Sequence, residues 1–154
     1  MLQLATFELD SLRFGLDVRV VQEVLADQEL TPVPQAPAAV RGLVNLRGQI
    51  LVAIDLRTVL GRSQRLVDDV ATERHRGRRI VILQTPHEPV ALLVDAFGDV
   101  VEAEDDAFDA CETLLDEDTA ALIVGVYRRD AGLLHLLDAD ALSQRIFAVT
   151  RRRK

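Results

Sequence analysis

The sequence contains one cysteine, Cys111, and no apolar run long enough to cross a membrane. A single thiol permits no disulfide within the chain and fits a reducing cytoplasm. A membrane-spanning helix needs about 20 predominantly apolar residues, and no run here approaches that length. The first ten residues do not resemble a secretory signal, and Leu4 to Leu9 already alternate like a strand. We therefore expect a cytoplasmic protein without direct membrane insertion.

Positive charge is also scarce. The chain has 18 Lys and Arg residues against 25 Asp and Glu residues, which gives a net charge of −7. Proteins that bind nucleic acids generally present a basic surface, so we expect no nucleic-acid partner. The arginines cluster in residues 62–79, which we interpret as a solvated loop. Residues 95–118 contain eleven acids and no Lys or Arg, which is typical of a solvated acidic stretch.

Residue patterns that support catalysis or metal binding are missing. The three histidines, His75, His87 and His135, have no cysteine or carboxylate partners at metal-ligand spacing. The sequence has no nucleophile elbow, Walker loop or dinucleotide fingerprint. We therefore predict a protein that is not an enzyme and has no metal or cofactor.

The clearest structural signal is a tight β-hairpin. Two apolar runs, Leu43–Leu46 and Gln49–Ile54, are separated only by Arg47 and Gly48. Glycine takes a positive φ without strain, so Gly48 is the structural turn residue that a two-residue loop needs. From the residues alone, Arg47 is equally well explained as a turn residue with a solvated side chain.

The register of this hairpin follows from the length of its loop. A two-residue loop places Asn45 opposite Ile50 and Val44 opposite Leu51, which makes both faces largely apolar. Such a hairpin needs cover on both sides, or it offers one face to a partner. We expect Val52 to lie on the core face and Val44 on the exposed face.

Short alternating segments dominate the rest of the chain. A short helical stripe or a turn is predicted at residues 20–25, an extended proline-rich connector at 31–37 and a C-terminal helix after Asp138 or Asp140. Many short strands joined by tight turns predict an all-β fold, mainly β with short helices, made of small β-barrels.

The run GLVNLRGQILVAIDLR at residues 42–57 closely resembles the signature of the CheW family, adaptors that couple bacterial chemoreceptors to the histidine kinase CheA. Two supporting blocks follow the family order, FGLDVRVVQEV at 14–24 and VALLVDAFGDV at 90–100. The resemblance implies one CheW-like domain over residues 1–154, with two small β-barrel subdomains packed side by side. The first would span about 13–67, the second about 1–12 plus 78–142, and residues 143–154 would form the end of the C-terminal helix and a basic tail.

The resemblance also implies partners. CheW-like proteins have no known catalysis; they hold the cytoplasmic hairpin tip of a chemoreceptor in the groove between the barrels and pair with the regulatory domain of CheA. The receptor-binding groove would comprise Val18, Val21, Glu23, Asn45, Arg47, Val94, Phe97 and Val100. The kinase-binding residues would be Gly42, Val44 and Leu46 on the exposed hairpin face.

Four positions depart from the family pattern and would narrow or reshape the groove. Ala53 stands where proline is common, Ala91 where glycine is frequent, and Phe97 and Gly98 replace smaller or aliphatic and polar residues. Two alternative functions stay open. One is a CheW-like paralogue serving another chemosensory pathway, such as type IV pilus motility. The other is a small-ligand-binding β-barrel, which would show a deep pocket with convergent polar groups.

Overall fold

The computed structural model describes residues 2–61, 78–103, 108–110, 117–129 and 132–151. The described strands are β1 (Leu2–Leu9), β2 (Leu12–Asp17), β3 (Val21–Ala26), β4 (Val40–Leu46), β5 (Gln49–Asp55), β6 (Arg79–Leu83), β7 (Val90–Val94), β8 (Ala96–Ala103), β9 (Phe108–Ala110), β10 (Ile123–Arg129) and β11 (Gly132–Leu137). The described helices are α1 (Leu56–Val59), α2 (Glu117–Ala120) and α3 (Ala139–Arg151), with a 3₁₀ turn at Val18–Val20. Most of the basic loop, much of the acidic stretch, His75 and Cys111 lie outside the described residues.

The strands form two sheets. Sheet A has the order β8-β1-β2-β11-β10-β9, and sheet B has the order β3-β6-β7-β5-β4. The pairs β2–β11 and β5–β7 are parallel, and the other ladders are antiparallel. The prediction of a mainly β fold in two parts, with few and short helices, is confirmed.

The two sheets divide the chain differently from the expected subdomain boundaries. Strand β2 belongs to sheet A with β1, although residues from 13 onward were expected in the first subdomain. Strands β6 and β7, expected in the second subdomain, pair with β3 and β5 in sheet B. The reason is long-range pairing, because their buried residues complete the core of sheet B.

Each sheet curls over a core of its own. In sheet B this core draws on all five strands: Leu25, Val44, Leu46, Leu51, Ala53, Ile80, Ile82, Ala91 and Leu93. No residue of sheet A is among them, so this face of sheet B is covered chiefly by its own strands, as in a small barrel. Sheet A encloses a smaller core that includes Leu4, Ala103, Tyr127 and Leu134.

The opposite faces of the two sheets share a third core, here called the central core. Sheet A contributes Phe7 and Phe14, whose rings lie 6.1 Å apart, and sheet B contributes Ile54 and Leu92. Helices α1 and α3 close this core, the latter through residues such as Ile146. The sheets therefore pack side by side through apolar contacts, which are strong but not directional.

The C-terminal helix begins as predicted. Asp138 caps it by accepting hydrogen bonds from the backbone N–H groups of Asp140 and Ala141. On the exposed side of α3, the ring of Phe147 stacks on His87 with ring centroids 4.5 Å apart. The helix is thus fixed both to the central core and to the β6–β7 turn.

Candidate functional site

The β4–β5 hairpin has the predicted register. Leu43 lies opposite Val52, Val44 opposite Leu51 and Asn45 opposite Ile50. Both turn residues have positive φ, +52° at Arg47 and +88° at Gly48, as a tight two-residue hairpin turn requires. Asn45 stabilises this turn because its Oδ1 accepts a hydrogen bond of 2.9 Å from the Gly48 N–H.

The two faces of the hairpin differ sharply in exposure. Val44 is only 2% exposed, and it shares its face with Leu46 inside the curled sheet B. On the other face Ile50 is 55% exposed, Val52 is half-buried and Ile54 is fully buried. Burial along β5 therefore increases from the turn towards the central core.

The expected kinase-binding residues lie on the buried face of the hairpin. Gly42, Val44 and Leu46 are all buried, so they do not form an exposed patch. The physical reason is the curl of sheet B, which turns this face onto the sheet's own core. The accessible face is the one that carries Asn45 and Ile50.

An ion pair joins the hairpin turn to strand β3. Arg47 Nη1 donates to Glu23 Oε1 at 2.9 Å, and Arg47 Nη2 donates to Glu23 Oε2. Strands β3 and β4 stand at opposite ends of the strand order of sheet B, so the pair connects the two edges of the curled sheet. The Arg47 side chain is 68% exposed. Its hydrogen bonds to Glu23, together with the carboxylate charge, raise the pKa of its guanidinium above the ordinary value.

The other expected groove residues are spread over both sheets. Val21 and Phe97 are half-buried and pack against the central core, and Phe97 lies opposite Phe7 across the β1–β8 ladder. Val18 is half-buried in the 3₁₀ turn between β2 and β3, and Val100 is exposed on β8.

Val94 differs from the expectation. It is 2% exposed and belongs to the central core, so it does not line an open groove. It ends strand β7 directly before the chain crosses into sheet A, and this position places its side chain between the two sheets. The structure thus gathers Glu23, Asn45 and Arg47 around one turn, with Val21 and Phe97 on the shared core.

Sequence reasoning missed two features of this region. Ile50 is the exposed apolar neighbour of Asn45, and the predicted register already placed the two residues opposite each other. Arg57 is the second: its side chain is only 6% exposed, and it contacts two aspartates. No local pattern indicates this burial, because one of the aspartates lies 47 positions away along the chain.

Among the described residues, no group of three or more His, Cys, Asp or Glu side chains could hold a metal ion. Within that same part of the chain, no helix is long and apolar enough to cross a membrane. His135 is buried in β11 against Phe14, and its Nδ1 lies 2.9 Å from the carbonyl oxygen of Arg13. This contact helps to hold the parallel β2–β11 pair together.

Comparison with known proteins agrees with this architecture. The family model of the CheW-like domain matches residues 3–147. The chemotaxis protein CheW of Thermotoga maritima is 25% identical over 144 residues, which cover 94% of this chain and 89% of that protein. The crystal structure of the scaffolding protein TtCheW from Thermoanaerobacter tengcongensis is similar with a TM-score of 0.75 and 26% identity, covering 92% of this chain and 91% of that one.

A weaker match concerns protein FrzA of Myxococcus xanthus. It is 34% identical, but over only 58 residues, which cover 38% of this chain and 36% of that protein. The family model, in contrast, spans both sheets and all three described helices except the end of α3. The chain therefore belongs to the family of CheW-like domains.

Proposed function

We propose that this chain is a non-catalytic adaptor of chemotaxis signal transduction. It couples methyl-accepting chemoreceptors to the histidine kinase CheA and acts in the cytoplasm, recruited to membrane-associated receptor arrays. The family match over residues 3–147 supports this function, as does the likeness to a scaffolding protein over 92% of the chain.

The receptor surface is centred on the Glu23–Arg47 pair, and this pair is the observation that carries the proposal. An exposed guanidinium held in place by a carboxylate keeps donors available for an incoming acceptor. Val21 and Phe97, which are both half-buried, supply apolar surface on the central core. A chemoreceptor tip is a helical hairpin, and an amphipathic helix suits a surface that combines apolar side chains with a charged rim.

The kinase surface is the open hairpin face around Ile50, with Leu43 and Val52 beside it. A large apolar side chain that is 55% exposed is suited to burial in an interface, where apolar and aromatic groups form the desolvated centre. The regulatory domain of CheA is the proposed occupant. This assignment keeps the expected partner and moves its contact to the face that the curled sheet leaves open.

Arg47→Ala tests the receptor surface. We expect receptor binding to weaken by about tenfold, the scale of one charge-assisted hydrogen bond. The fold should be unchanged because the side chain is largely exposed, and circular dichroism checks this. Arg19→Ala is the matched control, since Arg19 is also exposed and paired with a carboxylate, that of Asp17. Equal receptor binding by both variants would contradict the assignment.

Ile50→Asp tests the kinase surface. A charge placed in a desolvated apolar interface should abolish binding of the CheA regulatory domain while receptor binding stays intact. Val124→Asp, at another exposed apolar residue but in sheet A, serves as the control. Isothermal titration calorimetry with the two partners separately distinguishes the surfaces. Normal kinase binding by the Ile50 variant would place that contact elsewhere.

The two alternative functions predict other outcomes. A paralogue for another chemosensory pathway would co-purify from its native cell with a different receptor and kinase, and the short FrzA match gives this alternative less support. A ligand-binding barrel requires a hollow interior with polar groups, whereas the sheet B core is built from apolar side chains such as Leu51 and Ile82. Identification of co-purified partners by mass spectrometry decides between these functions.

A further inference from the structure

A partly buried ion network lies outside both proposed partner surfaces. Arg57 Nη2 donates to Asp95 Oδ1 at 2.6 Å and to Oδ2 at 2.9 Å, and Arg57 Nη1 donates to Asp10 Oδ1. The Asp10 N–H donates in turn to Asp95 Oδ2 at 2.9 Å, so the three residues bond to one another. We call this network the triad.

The members of the triad come from different parts of the fold. Arg57 lies in α1, directly after strand β5 of sheet B, and Asp10 lies in the β1–β2 turn of sheet A. Asp95 is the one residue between β7 of sheet B and β8 of sheet A. Its own N–H donates to the carbonyl oxygen of Glu8 at 3.0 Å, which adds a second bond to sheet A. The triad thus sits where the chain crosses between the sheets.

The chain crosses between the sheets at one other place in the described residues, at Val18–Val20. There Asp17 caps the 3₁₀ turn and pairs with Arg19, which is exposed. Solvent screens such a pair, so it restrains the crossing only weakly.

Two hydrogen bonds to the C-terminal end of α1 also connect the two halves of the fold: Thr119 Oγ1 donates to the carbonyl oxygen of Leu60 at 2.9 Å, and Arg145 Nη1 donates to that of Val59 at 3.1 Å. The triad adds ion pairs to these directional contacts.

The Arg57 guanidinium stays charged at physiological pH. Burial by itself lowers the pKa of the Arg57 guanidinium, but hydrogen bonds to Asp10 and Asp95 and their charges outweigh this effect and raise it. A buried ion network adds little net stability compared with well-packed apolar residues, and its best-attested use is to fix one geometry among several. The apolar central core lacks such directionality.

We infer that the triad of Arg57, Asp10 and Asp95 fixes the angle between sheet A and sheet B and so positions Phe97 of sheet A relative to Glu23 and Arg47 of sheet B within the receptor surface. The claim about the receptor surface rests on the proposed function, since that surface uses Glu23 and Arg47 from sheet B and Phe97 from sheet A. The claim that the triad fixes the angle between the sheets does not depend on that function. Arg57 is a positioning residue and touches neither partner.

The test is a neutral version of the triad, Arg57→Met with Asp10→Asn and Asp95→Asn, which leaves no unpaired buried charge. Residual dipolar couplings of backbone amides in the weakly aligned protein report the orientation of each sheet. In the wild-type protein one alignment tensor should fit both sheets. In the neutral variant each sheet should fit a tensor of its own, because the sheets can rotate about the central core.

A matched control is Arg78→Met with Asp27→Asn. This pair is also partly buried, with Arg78 Nε donating to Asp27 Oδ1 at 2.9 Å, but it joins β3 and β6 within sheet B. Its removal should leave a single alignment tensor. If the neutral triad also keeps the wild-type tensor for both sheets, the central core and the other contacts set the angle and the inference is overturned.

A second variant covers the case in which the neutral triad does not fold. Arg57→Lys keeps the charge but loses the planar fork that reaches both carboxylates. It should also split the alignment tensor, and an unchanged single tensor would overturn the inference.

Receptor-coupled kinase activity supplies the functional readout. It should fall in variants with split tensors, while binding of the isolated CheA regulatory domain is retained. If the wild-type chain does not couple receptor to kinase, the proposed function fails. The residual dipolar couplings still decide whether the triad fixes the angle between the sheets.

Discussion

At the scale of single residues, Gly42 shows how a backbone constraint supports the hairpin. Its φ is +148°, and a Cβ atom there would lie 2.6 Å from the carbonyl oxygen of Thr31. Thr31 and Leu43 exchange two backbone hydrogen bonds, of 2.9 and 2.8 Å, which extend sheet B beyond β4. A side chain at position 42 would force this bridge apart, so the position needs glycine.

We therefore expect Gly42→Ala to lower the free energy of unfolding by about 1–3 kcal/mol, through backbone strain and displacement of Thr31. Gly48→Ala is the control. Its φ of +88° is also positive, but a Cβ atom there would meet nothing within 4 Å. Urea denaturation of both variants measures the difference. Equal destabilisation would mean that strain alone, without the close approach to Thr31, sets the cost at Gly42.

At the scale of elements, strand alternation places the core residues and the exposed residues of the hairpin on opposite faces. Val44 and Ile50 lie near each other on adjacent strands, yet one is buried in the core of sheet B and the other is solvent-exposed. This arrangement follows from the period of two residues in a strand, which sends neighbouring side chains to opposite faces. The hairpin can therefore carry a partner surface without weakening its own core.

Val44→Ala should destabilise the protein by roughly 1.5–3 kcal/mol, because it removes two buried methyl groups and leaves a cavity. Ile50→Ala removes more carbon atoms but should change stability by less than about 0.5 kcal/mol, since it is an exposed site. Thermal and urea unfolding of the two variants provide the comparison. The reverse order of stabilities would show that the two hairpin faces are exchanged.

The hairpin and β3 also show which structural features the sequence could predict and which it could not. The hairpin register was predictable because a two-residue loop leaves one pairing for Asn45 and Ile50. The sequence could not predict which face of the hairpin points outwards, because both faces are apolar and the curl of sheet B depends on distant strands. Residues 20–25 suggested a short helical stripe or a turn; in the structure the 3₁₀ turn ends at Val20 and β3 begins at Val21. A register shift between Val21 and Glu23 breaks the strand alternation there.

At the scale of the whole molecule, long-range pairing decides what local patterns do not. Strand β2 pairs in sheet A and strands β6 and β7 pair in sheet B, because the chain crosses between the sheets at Val18–Val20 and Asp95. Glu23, Asn45 and Arg47 lie together at the hairpin turn, whereas Val94 is buried in the central core, and that burial requires both sheets to be in place. When a side chain is buried by a distant part of the chain, the local pattern of apolar and polar residues does not indicate that burial.

Net charge is a property of the whole molecule, and 25 acids against 18 bases give it a value of −7. Exposed ion pairs such as Arg41–Asp55 contribute only about 0–1 kcal/mol each, so self-repulsion should dominate the response to salt. Adding NaCl from 0.01 to 0.1 M shortens the Debye length from about 30 to about 10 Å. We therefore expect the melting temperature at neutral pH to rise slightly. Asp99→Asn with Glu102→Gln, at two exposed residues of β8, removes two negative charges and should reduce that rise. A clear fall with salt would instead indicate that attraction between the basic segment 62–79 and the acidic segment 95–118 stabilises the fold.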